Sequence, residues 1–149
     1  MSTPPLPAGL DDSRRNRVAN RLHSAAIHLL RRARQEDRAT GLSPERLSLL
    51  SVLVFAGPRT ASELAAIERV SRPAITRILN ALENARLVRR ERLVGDRRVT
   101  VVHATPKGRR LMEAGRARRV QRIAGDLGHL SAAQLELLSE ASKLLDSLD

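Results

Sequence analysis

Residues 71–98 read SRPAITRILNALENARLVRRERLVGDRR, and the fold turns on this stretch. Ser71, Arg72 and Pro73 mark a helix start, because proline in the first turn loses only an N–H that has no intrahelical partner. Ile75, Ile78, Leu79 and Leu82 recur at helical spacing and predict one apolar face. Ser71, Arg72, Thr76, Arg77 and Asn80 fall largely off that face. They are the short polar and cationic types that reach base edges and phosphates. Strand-like LVRRERL follows, then Gly95-Asp96 as a connection, then RRVTVVHAT as a second strand. From Arg69 to Arg98 nine Arg stand against Glu83, Glu91 and Asp96, a net of +6. Helix, hairpin and charge together predict a winged helix-turn-helix reader of double-stranded DNA.

The flanking residues extend this pattern. Thr60 and Glu63 have the spacing of a capping box, so TASELAAIERV predicts a short helix over about 61–68 and a tight turn at Arg69-Val70. Ser43 and Pro44 open an earlier helix whose Leu47, Leu49, Leu50, Val52, Leu53, Val54 and Phe55 read as buried, with Gly57-Pro58 closing it. A first helix begins at Asp12 or Ser13 and carries the stripe Val18, Leu22, Ala25, Ala26, Leu29 and Leu30. Thr105-Pro106 starts a long helix with Leu111, Met112, Ala117, Val120, Ile123 and Leu127, closed by Gly125 and Gly128. Ser131 and Gln134 form a second capping box, opening a last helix striped by Leu135, Leu138, Ala141, Leu144, Leu145 and Leu148. The apolar stripes at the two ends of the chain need partners, either each other or a second subunit.

Composition narrows the class. The 149 residues carry a net charge of +11, which implies a polyanionic partner. A solvated basic surface is the alternative. Phe55 is the single aromatic ring, which argues against binding single strands or RNA by base stacking. After Ile123 the net charge is −4, so the basic surface belongs to the middle of the chain. The absence of cysteine excludes disulfides and Cys-ligated zinc. No run approaches a membrane span and the N-terminus has no signal-type apolar core, so a cytoplasmic protein is expected. His23, His28, His103 and His129 lack metal-site spacing, and no phosphate loop or nucleophile elbow is present. No enzyme, no metal and no cofactor is expected.

VSRPAITRILNALENARLVRR followed by GDRRVTVVHATPKGRRLM resembles the MarR family of bacterial transcriptional regulators. The second segment is similar to that family's wing signature: Asp96-Arg97-Arg98, a strand from Val99 to His103, Ala104-Thr105 and then Gly108. Ala104 stands where the family usually has Leu. The resemblance implies a mainly α fold with a small β-hairpin wing, a winged helix-turn-helix flanked by N- and C-terminal dimerisation helices. It implies residues 1–12 as an arm, 13–40 and 106–149 as the dimerisation region, and 41–105 as the DNA-binding domain. It also implies a homodimer, most often a repressor, on a pseudo-palindrome, with recognition helices in successive major grooves. Ser71, Arg72, Pro73, Thr76 and Arg77 match recognition-helix positions. Arg97 lies in the wing, Arg98 matches the wing Arg that enters the minor groove, and Asp96 matches the acid that holds it.

Such regulators often bind a small anionic, commonly aromatic, effector. Candidate lining residues are His23, Ile27 and Phe55, with an Arg for the anion. Two other readings share parts of the evidence: a sequence-indifferent architectural DNA-binding protein, and a helical oligomeric scaffold whose basic face is merely solvated.

Overall fold

In a computed structural model that describes residues 4–93 and 96–148, without the side chains of residues 93–98, the helices and strands follow the predicted order. Helix α1 spans Arg14–Arg34 and passes into a 3₁₀ segment, Gln35–Thr40. Then come α2 (Pro44–Phe55), strand β1 (Arg59–Thr60), α3 (Ala61–Glu68) and α4 (Arg72–Asn84). Strands β2 (Val88–Leu93) and β3 (Asp96–Ala104), α5 (Pro106–Leu127) and α6 (Ala132–Asp146) complete the chain. The chain divides into two compact units, residues 36–118 and residues 1–35 with 119–149.

In the unit of residues 36–118 the helix ends are set by local hydrogen bonding. Thr60 and Glu63 form both halves of the expected capping box, and Ser71 Oγ accepts from the amide of Ala74. Ser43 occupies the cap position of α2 without bonding the helix amides. The core gathers Leu49, Leu50 and Leu53 of α2, Leu64 of α3, Ile75, Leu79 and Leu82 of α4, then Leu87, Val88, Val102 and Met112. Burying each such aliphatic side chain contributes roughly 1.5–3 kcal/mol. Helix α2 is less buried than its sequence predicts. Leu49, Leu50 and Leu53 pack inward, while Phe55 at its C-terminal end is 57% exposed.

The sheet has one strand more than the hairpin alone. Arg59 and Thr60 pair antiparallel with Val102 and Val101, giving the order β1-β3-β2. A two-residue strand has no periodicity to read, so its pairing is a tertiary event. Strand β2 pairs with β3 from Val88↔Ala104 to Arg92↔Thr100, and the register shifts between Arg92 and Leu93. Asp96 opens β3 and faces Leu93, so it belongs to the strand and not to the connection.

The start of α5 is locked to the end of α4. Helix α4 closes with Arg86 at φ 59, Leu87 N donating to the Leu82 carbonyl and Arg86 N to that of Glu83. Thr105 N donates to the Leu87 carbonyl at 3.0 Å, and Thr105 Oγ1 donates to the Arg86 carbonyl at 2.7 Å. Gly108 then lies so close that a Cβ built on it would sit 2.3 Å from the Leu87 carbonyl oxygen. No side chain but hydrogen fits there.

In the other unit, Ser13 caps α1 and Ser131 with Gln134 caps α6, both as expected. Arg32 of α1 is ion-paired with Asp126 of α5. Gly125 lies inside α5, which runs on to Leu127. No residue of α6 is buried, and in α1 Ala33 alone is. Leu22, Leu29, Leu30, Leu138, Leu144 and Leu145 all stay exposed. Among the described residues no helix is long and apolar enough to cross a membrane, and no cluster of three or more metal-ligating side chains occurs.

Candidate nucleic-acid interface

Helix α4 is amphipathic, and its two faces have separate duties. Ile75, Leu79 and Leu82 are buried in the core, with Ile78 partly covered. Ser71, Arg72, Pro73, Thr76 and Arg77 are all exposed, so the sequence-predicted recognition residues come together on the solvent side of one helix. An α-helix about 10–12 Å across fits the major groove of B-DNA, about 12 Å wide.

The side chains differ in what they have left to offer. Among the described residues the guanidinium groups of Arg72 and Arg77 have no hydrogen-bond or ion-pair partner, so their forks are open for guanine or phosphate. Thr76 Oγ1 donates to the Arg72 carbonyl at 3.0 Å, which leaves its lone pairs and methyl facing out. Ser71 Oγ accepts from Ala74 N at 3.4 Å and keeps its own proton to give to a phosphate. Pro73 has no N–H, and the amides of Ala74 and Ile75 are taken by Ser71. The amide of Arg72 is therefore the donor that the helix N-terminus still presents to an anion.

Arg69 lies just before this helix, in the turn that the sequence predicts. It holds φ 53 in the turn between α3 and α4, with Val70 N donating to the Ala65 carbonyl. An L-residue in that left-handed conformation costs about 1 kcal/mol or more relative to glycine. Its cationic side chain is carried on the exposed side of the turn.

The arginines of the first wing strand are not equally free: Arg90 donates to Glu83 and Asn80 of α4, and Arg89 is ion-paired with Glu91. His103 Nε2 lies 3.6 Å from the same Glu91 carboxylate. Arg92 is exposed. The side chains of Asp96, Arg97 and Arg98 lie outside the described residues, and their backbone forms the start of β3. Of the effector candidates, His23 and Ile27 are exposed on α1 in one unit and Phe55 is exposed at the end of α2 in the other.

Two acids at helix starts in this unit have lowered pKa values. Glu63 is held below the usual carboxylate range, first by the Thr60 amide and then by the Thr60 hydroxyl. Glu45 is lowered chiefly by a hydrogen bond from the Ser43 hydroxyl.

The sequence profile of the MarR family matches residues 40–99, which hold α2, α3, α4 and most of the wing. An HTH-type transcriptional regulator of Mycobacterium bovis is 30% identical over 132 residues, 89% of this chain and 92% of that protein. The chain belongs to the MarR family. The family and this relative are transcriptional regulators, not enzymes, and this MarR regulator is a DNA-binding protein. Among solved structures, transcriptional regulator Tm0710 of Thermotoga maritima has the same fold, with TM-score 0.81 and 22% identity over 89% of this chain and 93% of that one. A Staphylococcus aureus MepR variant, solved bound to an oligodeoxyribonucleotide, matches with TM-score 0.68 and 20% identity over 89% of this chain and 98% of that one.

Proposed function

We propose that this MarR regulator is a sequence-specific repressor that binds a pseudo-palindromic operator as a homodimer. The observation that carries the reading is the open face of α4, where Arg72 and Arg77 stand exposed and unpaired beside Ser71, Pro73 and Thr76. These five residues contact the major groove, and Arg97 and Arg98 of the wing, with Asp96 as the acid that orients Arg98, contact the flanking minor groove. Arg77 forks onto guanine O6 and N7. Arg98 uses the negative potential of a narrow groove.

The homodimer rests on α1 and α6. An isolated helix of 15 residues such as α6 is marginal in water unless an apolar face is covered, and α6 covers none of its own. A second copy presenting the same leucines supplies the cover. On this reading residues 13–40 and 106–149 dimerise, residues 41–105 read DNA, and residues 1–12 are an arm. An anionic effector that relieved repression would do so by favouring a lobe spacing that no longer matches the two half-sites.

The deciding experiment is an electrophoretic shift on duplexes selected by the protein from a random library, with unselected duplex as competitor. A specific site resists competition by roughly 10³-fold or more. Equal competition returns the chain to a sequence-indifferent architectural role, and no shift at low salt removes both DNA readings. Sedimentation of Leu138→Asp, expected as a monomer beside a dimeric wild type, tests the assembly.

A further inference from the structure

The most basic strand of the wing holds one arginine whose guanidinium is turned onto side chains of the recognition helix. Arg90 lies on β2, the outer strand next to α4. Its amide donates to Glu83 Oε1 at 3.2 Å, its Nη1 to Glu83 Oε2 at 2.7 Å and its Nη2 to Asn80 Oδ1 at 2.7 Å. Glu83 and Asn80 are one turn apart on α4, so three hydrogen bonds join the recognition helix to the open edge of the wing. The side chain of Arg90 is 31% exposed, against 56% for its neighbour Arg89.

We propose that Arg90 is a positioning residue, which with Glu83 and Asn80 holds the wing and the recognition helix at one fixed angle and makes no contact with DNA itself. This rests on the reading of α4 and the hairpin as the DNA-contacting surface.

Three physical points support it. A carboxylate 2.7 Å from the guanidinium cancels most of the field that a phosphate would feel. The same carboxylate takes the main-chain amide of Arg90, which closes the edge of β2 and fixes its backbone as well as its side chain. Arginine has donors only, so Asn80 must turn its Oδ1 toward Arg90 and its amide nitrogen outward. Asn80 is then closed to the two-bond fork that asparagine makes with adenine, which needs donor and acceptor together. The distance between a major-groove and a minor-groove contact within one half-site is set by this brace, and a reader that must match both needs the angle held.

The test compares wild type, Arg90→Gln, Glu83→Gln and the exchange Arg90→Glu with Glu83→Arg, all in the full chain. Without DNA, amide hydrogen exchange in residues 88–93 is expected to rise about three- to tenfold in either single variant, as suits a partly exposed charged pair; in the exchange the neighbouring amides return toward wild type while that of residue 90, left without its carboxylate acceptor, does not. On an unselected duplex, the slope of log affinity against log salt is expected to stay unchanged in Arg90→Gln. Loss of a phosphate contact would reduce that slope by about 0.9. On a duplex selected by the wild type, the ratio of selected to unselected affinity is expected to fall about three- to tenfold and to recover in the exchange.

A slope reduced by about 0.9, with exchange rates unmoved, overturns the proposal and makes Arg90 a DNA cation. If the wild type selects no site, the specific-repressor reading fails, while the exchange rates and the slope still decide the brace. Should Arg90→Gln not fold, Glu83→Gln still reads the exchange rates and the affinity ratio with every arginine retained, and exchange rates unmoved there overturn the brace.

Discussion

Replacing Gly108 by alanine puts a methyl where a carbonyl already is. The added Cβ would meet the Leu87 oxygen at 2.3 Å, the Leu87 carbon at 3.2 Å and Leu50 Cδ1 at 3.2 Å. An ordinary carbon–oxygen contact is about 3.3 Å, so the two backbones must separate by roughly 1 Å. The Leu87 carbonyl that has to move accepts from Thr105 N at 3.0 Å and from Thr105 Oγ1 at 3.1 Å. Overpacking of this kind costs about 1–3 kcal/mol. Each weakened hydrogen bond adds about 0.5–1.5 kcal/mol. Alanine returns about 1 kcal/mol through its higher helix propensity. The net expectation is a loss of about 1–5 kcal/mol, or roughly 2–20 °C in Tm. With neither Trp nor Tyr in the chain, denaturation is followed by far-ultraviolet circular dichroism. Gly125→Ala is the control. It lies in the same helix with no atom within 4 Å of an added Cβ, and should raise stability by about 0.5–1 kcal/mol. If Gly108→Ala were as stable as Gly125→Ala, the close packing of α5 on the end of α4 would be refuted.

Other perturbations separate the roles of single residues. Arg77→Ala should lose about 1–3 kcal/mol on a selected duplex and relax base preference at one position per half-site, measured by competition titration. Arg98→Ala should weaken binding most on duplexes with A·T-rich flanks, and equal losses on G·C-rich flanks would argue against a minor-groove role. Arg69→Gly relieves a left-handed arginine and should raise the denaturation midpoint by about 0.5–1 kcal/mol; a fall would contradict the turn geometry. Glu63 has a lowered folded-state pKa, so its stabilisation is full at neutral pH and is lost as pH falls through that lowered value. Glu63→Gln keeps an acceptor for Thr60 but does not titrate, and its acid unfolding should start from a flatter pH dependence.

Much of the reading head is legible one residue at a time. The caps at Ser13, Thr60, Ser71 and Ser131 are local, since each side chain bonds an amide three residues on. The inward face of α4 follows from spacing alone, and so does the outward set at Ser71, Arg72, Thr76, Arg77 and Asn80, while Pro73 enters the recognition set only through the family resemblance. Other features depend on what lies opposite. Phe55 continues an apolar run in sequence, yet the helix turns it outward. Arg90 looks like any other wing arginine until Glu83 and Asn80 are found beside it. Strand β1 is invisible without β3 to pair with.

The sequence by itself determined where the helices start, which face of α4 is apolar, and that the middle of the chain carries the positive charge. These are short-range properties, written in spacings of three and four residues and in composition. Tertiary structure decided which of those charges remain free. Whether an arginine faces DNA or a glutamate depends on a partner seven residues away in sequence and on a different element in space, as with Arg90 on β2 and Glu83 on α4. It also decided that Gly108 must be glycine, because the carbonyl that excludes a methyl there belongs to Leu87, on the far side of the hairpin.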